Sequence, residues 1–182
     1  MAFALHQGRR AGRADAAGMS GTTSKRIKTV EEFYAHALAI EREAAERYAE
    51  FDAWFTKRGE PLLAGLCRTL AEMESQHARQ LTRASRALEL PDIGDGGYRW
   101  LPAGSPETPA REHFYRVTQP RQLLEIAFHA ECNALAFFDW VGCTTSDDTV
   151  RTLAREMAAE EEQHVQWVRN ALEYNLATVR AI

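Results

Sequence analysis

Two copies of one short motif, Glu-x-x-His, constrain the fold of this chain more than any other feature. The motifs are Glu74–His77 and Glu161–His164, and each follows a stretch that carries a glutamate on an apolar stripe, first Glu41 and then Glu131. Residues three apart on an α-helix lie on one face, so each motif presents a carboxylate and an imidazole to the same point. The order Glu, Glu-x-x-His, Glu, Glu-x-x-His is the ligand order of a four-helix bundle that binds two metal ions.

Helical phase selects one glutamate from each acidic run. Glu41 and Glu43 are about 200° apart on a helix, and only Glu41 continues the apolar stripe of Ile40 and Ala44. Among residues 160–162, the three-residue spacing from the histidine selects the middle glutamate. The candidate metal ligands, which are also the catalytic residues through the metals, are Glu41, Glu74, His77, Glu131, Glu161 and His164.

This ligand set predicts two divalent cations. Four carboxylates buried together without compensation would be prohibitively costly, and two divalent ions cancel their charge while the histidines stay neutral. Carboxylate and imidazole ligands suit iron or manganese. We expect two iron ions, and manganese or a mixed pair stays open. A single Glu-x-x-His can arise by chance on a solvated helix, but two at matched positions favour a metal site over salt-bridged surface helices.

Start and stop signals divide the chain into four helices. A capping box at Thr29–Glu32 opens helix one, and Pro61 suits the first turn of helix two. Helix two is predicted to end near Leu90–Pro91, helix three to start around 118–120, and helix four to start after an N-cap at Ser146.

Residues 1–27 are predicted to be a disordered tail, and 28–182 a single all-α bundle. Residues 91–118 are rich in proline and glycine. They fit the long crossover that a bundle needs when its second and third helices run parallel. We expect apolar anchors to pack this crossover against the bundle: Tyr98, Trp100, Leu101, Phe114 and Tyr115.

Charge and cysteine content exclude several classes of protein. The net charge is -4 and the isoelectric point is near 5.9, so there is no basic footprint for nucleic acid. No apolar run is long enough to span a membrane. The three cysteines form no C-x-x-C pair, so the chain cannot build a rubredoxin-type iron site. Free thiols predict a reducing, cytoplasmic location, and Arg9–Arg10 lacks the apolar core of a secretion signal. Either Met1 or Met19 could be the start.

Several other residues could lie in or near the metal site. Tyr34 and Tyr48 each lie seven residues from Glu41, so each is either a hydrogen-bond donor beside the metals or a core residue. Cys67 is interpreted as a small apolar filler. We expect three histidines to lie outside the site: His36, His113 and His129.

The pattern Glu41-x-x-Ala44-x-x-x-Tyr48, together with the two Glu-x-x-His segments, resembles the ferritin-like superfamily and, within it, the rubrerythrin-type domain. The resemblance covers about residues 28 to 180. It implies a ferritin-like four-helix bundle, a non-haem di-iron centre and, as the common assembly, a homodimer. It also implies a small oxidant, peroxide or dioxygen, as the reactant.

Two departures from the family pattern bear on the reaction. The chain has no rubredoxin domain, so a separate electron donor protein is expected. Ala134 stands where rubrerythrins carry a second carboxylate on the third helix, so six protein ligands are expected. We therefore expect an oxidoreductase that reduces peroxide or oxidises ferrous iron, with a lean towards an oxidase or ferroxidase-like centre. The alternatives are a di-iron oxygenase acting on an organic substrate and a non-catalytic iron-binding module.

Overall fold

A computed structural model describes residues 26–93 and 114–173. These residues form an all-α bundle of four long helices, as expected. The helices are α1 Val30–Lys57, α2 Pro61–Ala84, α3 Pro120–Thr144 and α4 Asp148–Glu173. None of these helices is long and apolar enough to cross a membrane.

Parts of the predicted domain organisation lie outside the described residues. They include residues 1–25 of the predicted tail and most of the 91–118 crossover, with its anchors Tyr98, Trp100 and Leu101. Ile27 is described and is buried in the core, so the packed chain begins inside the segment predicted as tail.

Local hydrogen bonds explain where the helices start and end. The Thr29 hydroxyl accepts a hydrogen bond from the Glu32 amide at 3.1 Å, and the Glu32 carboxylate accepts one from the Lys28 amide at 2.9 Å. The capping box is therefore present, but its acidic half reaches one residue beyond the N-cap. α2 ends at Ala84, earlier than predicted, and the Ser85 hydroxyl donates to the Leu81 carbonyl at 2.8 Å.

The predicted N-cap of the last helix was wrong by one residue. α4 begins at Asp148, and the carboxylate that accepts a hydrogen bond from the Val150 amide, at 2.9 Å, belongs to Asp147. The Asp147 amide in turn donates to the Thr145 hydroxyl at 3.2 Å. Aspartate and serine are equally good N-caps, so composition could not decide between Ser146 and Asp147.

Two apolar clusters form the core, and every helix contributes to both. Members of the first cluster include Phe51, Leu70, Leu124 and Val168. Members of the second cluster include Ile40, Leu81, Phe138 and Met157. Along the chain, α1 and α4 pass from the second cluster to the first, whereas α2 and α3 pass from the first to the second. α2 and α3 therefore run in the same direction, which is the arrangement that requires a crossover between them.

The described end of the crossover is anchored by one phenylalanine. Phe114 is fully buried, and its ring stacks on Phe51 with centroids 3.5 Å apart. Tyr48 meets the same Phe114 ring edge-on. Tyr115, also predicted as an anchor, is 51% exposed, and its ring meets that of Trp54 edge to face.

Replacing Phe114 with alanine should destabilise the bundle by ~3–5 kcal/mol, because a buried aromatic ring is lost and a cavity remains. Tyr115→Ala is the matched control, and it should cost less than ~1.5 kcal/mol because the side chain is already half exposed and meets Trp54 only edge to face. Urea unfolding followed by circular dichroism measures both free energies. Equal losses for the two variants would show that the crossover is not anchored at Phe114.

Candidate metal centre

One glutamate from each helix lies between the two apolar clusters, and together they form a carboxylate layer. Its members are Glu41, Glu74, Glu131 and Glu161. All four residues have an exposed fraction of 0%. Neither oxygen of any of these side chains has a hydrogen-bond partner. Buried polar groups are nearly always hydrogen-bonded, so this layer is highly unusual for protein atoms alone.

Each histidine faces one glutamate of its own helix and one of the helix before it. The Nδ1 atom of His77 lies 3.4 Å from a Glu41 oxygen and 3.9 Å from a Glu74 oxygen. In the other hairpin, Nδ1 of His164 lies 3.3 Å from a Glu131 oxygen and 3.4 Å from a Glu161 oxygen. The two hairpins thus repeat one arrangement.

The two imidazole rings also meet each other across the bundle. The rings of His77 and His164 stack in parallel, with centroids 4.6 Å apart. Their side chains keep exposed fractions of 13% and 12%, whereas the carboxylate layer has none. The histidines therefore lie at the side of the centre that is nearer to solvent.

The six predicted ligands come together, and they do so as overlapping triads. Ligand atoms lie within 4.8 Å of one another in three groups: Glu74, His77 and His164; Glu41, His77 and Glu161; Glu131, Glu161 and His164. Within residues 26–93 and 114–173, no other histidine, cysteine or acidic side chain joins these groups.

The donor set fits a pair of divalent cations. Among residues 26–93 and 114–173, the ion pairs of the carboxylate layer involve only the two histidines, and no lysine or arginine pairs with it. Uncompensated carboxylates in an apolar interior are strongly disfavoured. Two divalent ions would neutralise the layer and would satisfy the orphaned oxygens and the Nδ1 atoms.

Burial and mutual repulsion shift the titration of the acidic groups. Burial raises the pKa of Glu74 well above its ordinary value, and the charges of Glu131, Glu41 and Glu161 raise it further. Burial also raises the pKa of Glu41 and of Glu161, although the nearby imidazoles of His77 and His164 oppose the rise.

The histidine pKa values also rise, for the opposite reason. Burial alone would lower the pKa of His164, but the adjacent carboxylates of Glu131 and Glu161 outweigh it and raise the pKa to about 11. The pKa of His77 is raised in the same way by Glu41, against the effect of burial. In protein without metal, these groups therefore favour retaining protons.

The residues that we expected outside the site are placed as follows. His36 is buried, and its Nδ1 lies 2.6 Å from the Glu32 carbonyl, while His129 is exposed. His113 lies outside the described residues. Cys67 is fully buried in the first apolar cluster, as its interpretation as a filler required, and burial raises its pKa to about 12. Ala134 is fully buried and supplies no carboxylate.

A cleft beside the centre was not foreseen from the sequence. It has a volume of about 160 Å³ and lies between α1, α2 and α4, with His77 in its wall. Tyr34, one of the two tyrosines seven residues from Glu41, also lines this cleft, whereas Tyr48 is buried in the first apolar cluster. Helical phase alone could not reveal the cleft, because its walls come from three helices.

The model of the rubrerythrin family matches residues 32–95, which include Glu41, Glu74 and His77. A crystal structure of an uncharacterized conserved protein from Magnetospirillum magnetotacticum MS-1 is 30% identical in sequence, with a TM-score of 0.65. The similarity covers 81% of this chain and 95% of that protein. The chain belongs to the rubrerythrin family. No curated protein matches it.

Membership of the rubrerythrin family confirms the ferritin-like bundle and agrees with a metal site of carboxylates and imidazoles. The family match ends at residue 95, so Glu131, Glu161 and His164 lie outside it.

In protein stripped of metal by a chelator, stability should fall as pH rises above about 4.5. The folded state holds protons on Glu41, Glu74 and Glu161 that the unfolded chain has already released, so raising the pH favours unfolding. The raised pKa values of His77 and His164 extend the fall above pH 6.5.

Urea midpoints between pH 5 and 8 measure this effect. Glu74→Gln should flatten the decline, because one buried titrating group is gone, and Glu162→Gln should not, because Glu162 is exposed on the same helix as Glu161. A rise in stability with pH in the metal-free protein would contradict the arrangement described above.

Proposed function

We propose that this protein is a non-haem di-iron redox protein that reduces hydrogen peroxide or oxidises ferrous iron with dioxygen or peroxide. One observation supports this proposal above all. Four fully buried carboxylates converge with two imidazoles, and the described residues offer their oxygen atoms no other partner. Such a layer is costly to fold, and a layer of apolar side chains would stabilise the bundle better. Burial of this kind is typical of functional sites.

In this proposal the six side chains have separable roles. The carboxylate layer would hold the two metal ions, and His77 and His164 would supply imidazole ligands to them. Two ferrous ions bound there would supply the two electrons that, with two protons, convert hydrogen peroxide into two water molecules. The apolar clusters above and below keep the layer dry and at one depth.

The oxidised metal ions would have to be reduced again before another turnover, and this needs an electron donor. The sequence has three cysteines, too few for a four-cysteine iron site of its own. Electrons for repeated turnover would therefore come from a separate donor protein.

Metal content tests the ligand assignment. The purified protein, loaded anaerobically with ferrous iron and desalted, should retain two irons per chain by mass spectrometry, as expected for this ligand set. Glu74→Ala and His164→Ala should each abolish stoichiometric binding, because each removes a ligand and leaves buried charge unbalanced. Glu162→Ala and His129→Ala, two exposed positions, are the matched controls and should bind normally. Full iron in the first pair would disprove the assignment.

The choice of oxidant tests the reaction. The reduced, iron-loaded protein is mixed with peroxide or with dioxygen in a stopped-flow spectrophotometer. A ferric absorption that develops with one peroxide per two irons would support peroxide reduction, and a faster response to dioxygen would support the oxidase reading. Iron that binds stoichiometrically but reacts with neither would favour the non-catalytic alternative.

A further inference from the structure

We propose that the cleft between α1, α2 and α4 is the route by which the reactant reaches the metal centre, and that it selects a small, uncharged oxidant. The inference rests on the function proposed above. It adds the entry path, the size limit and the charge preference of that site.

The cleft reaches the centre at His77. This side chain is one of the six that converge in the carboxylate layer, and it also forms part of the cleft wall. Its exposed fraction of 13% contrasts with 0% for the four glutamates. A molecule in the cleft therefore touches the candidate centre without any helix moving apart.

The volume limits what can enter. A water molecule occupies roughly 30 Å³ in the liquid, so 160 Å³ holds about five molecules of that size. Pockets for organic ligands of ordinary size are about 300–1,000 Å³. Hydrogen peroxide and dioxygen fit wholly inside the cleft, whereas it would enclose only part of a large organic substrate of a di-iron oxygenase.

The polarity of the walls changes from the inside to the rim. Phe33, Leu81 and Met157 are buried and apolar, whereas Glu156 is exposed and Glu160 is partly exposed. Within the described part of the chain, no cation pairs with Glu156 or Glu160. Two uncompensated carboxylates at the exposed rim of the cleft repel anions and leave neutral molecules unaffected.

Tyr34 adds a neutral polar group to the wall. Burial, and then the charge of Glu156, raise the pKa of Tyr34, so its hydroxyl stays protonated and available as a hydrogen-bond donor. A neutral oxygen-containing oxidant is the kind of molecule that such a wall accommodates.

The size limit is tested with nitric oxide, a neutral diatomic like dioxygen, added to the ferrous-loaded protein in a stopped-flow spectrophotometer. Ala84→Trp and Leu153→Trp place a large ring on two different walls of the cleft. Each should slow the binding of nitric oxide about tenfold, as an added barrier of ~1.4 kcal/mol would. Ala53→Trp, at an exposed position of α1 that does not line the cleft, is the control and should bind at the wild-type rate. Wild-type rates in both cleft variants would overturn the proposed route.

The charge preference is tested with azide, a small anion, on the ferric protein. The double variant Glu156→Gln with Glu160→Gln should bind azide several-fold faster and nitric oxide at an unchanged rate, because only the anion meets the repulsion. Glu162→Gln, outside the cleft, should change neither rate. Azide binding that does not respond to the double variant would overturn the charge preference.

Measuring iron content first distinguishes a failure of the proposed function from a failure of the proposed entry route. Protein that binds no iron contradicts the proposed function. If the protein binds two irons and nitric oxide, and neither tryptophan variant changes the rate of nitric oxide binding, the proposed function stands and the proposed route is wrong.

Discussion

The rest of this structure depends on the burial of four carboxylates at one depth of the bundle. Each helix changes from one apolar cluster to the other at its glutamate, so the layer is enclosed above and below by hydrocarbon. That environment disfavours unpaired charge, and it makes the attraction between a carboxylate and a cation stronger than at the surface. The apolar clusters position the carboxylate layer, and the layer in turn makes the fold a metal-binding one.

The direction of the helices follows from the same layer. A Glu-x-x-His helix supplies two ligands and its partner helix supplies one, so each hairpin provides half of the site. The His77 to Glu41 and His164 to Glu131 distances, 3.4 Å and 3.3 Å, show how closely the halves agree. Placing the two halves face to face makes α2 and α3 run parallel, and the long connection is a consequence. Phe114, stacked within the first cluster, fixes the end of that connection to the core.

Much of this architecture could be predicted from the sequence, because helical phase is a local property. The spacing within each motif decides which face a side chain occupies, and this was enough to select Glu161 from three consecutive glutamates. Helix ends were less predictable. Leu88 and Leu90 continue an apolar pattern after α2 has ended at Ala84, since the chain packs them without helical geometry. The family match confirms the type of bundle, while the ligand roles stay predictions.

The cleft beside the candidate centre could not be predicted from the sequence. The cleft exists because Tyr34, Gln80 and Met157, on three different helices, leave a gap beside His77, and a gap depends on relative packing rather than on phase. Ala134 also belongs to these surroundings, because this small, fully buried residue supplies no further ligand. A di-iron centre takes its reaction from such surroundings, because the ligands are common to peroxidases, oxidases and oxygenases. In the proposed function, the acid-rimmed cleft at His77 is the feature of the described residues that would most restrict which of those reactions the centre supports.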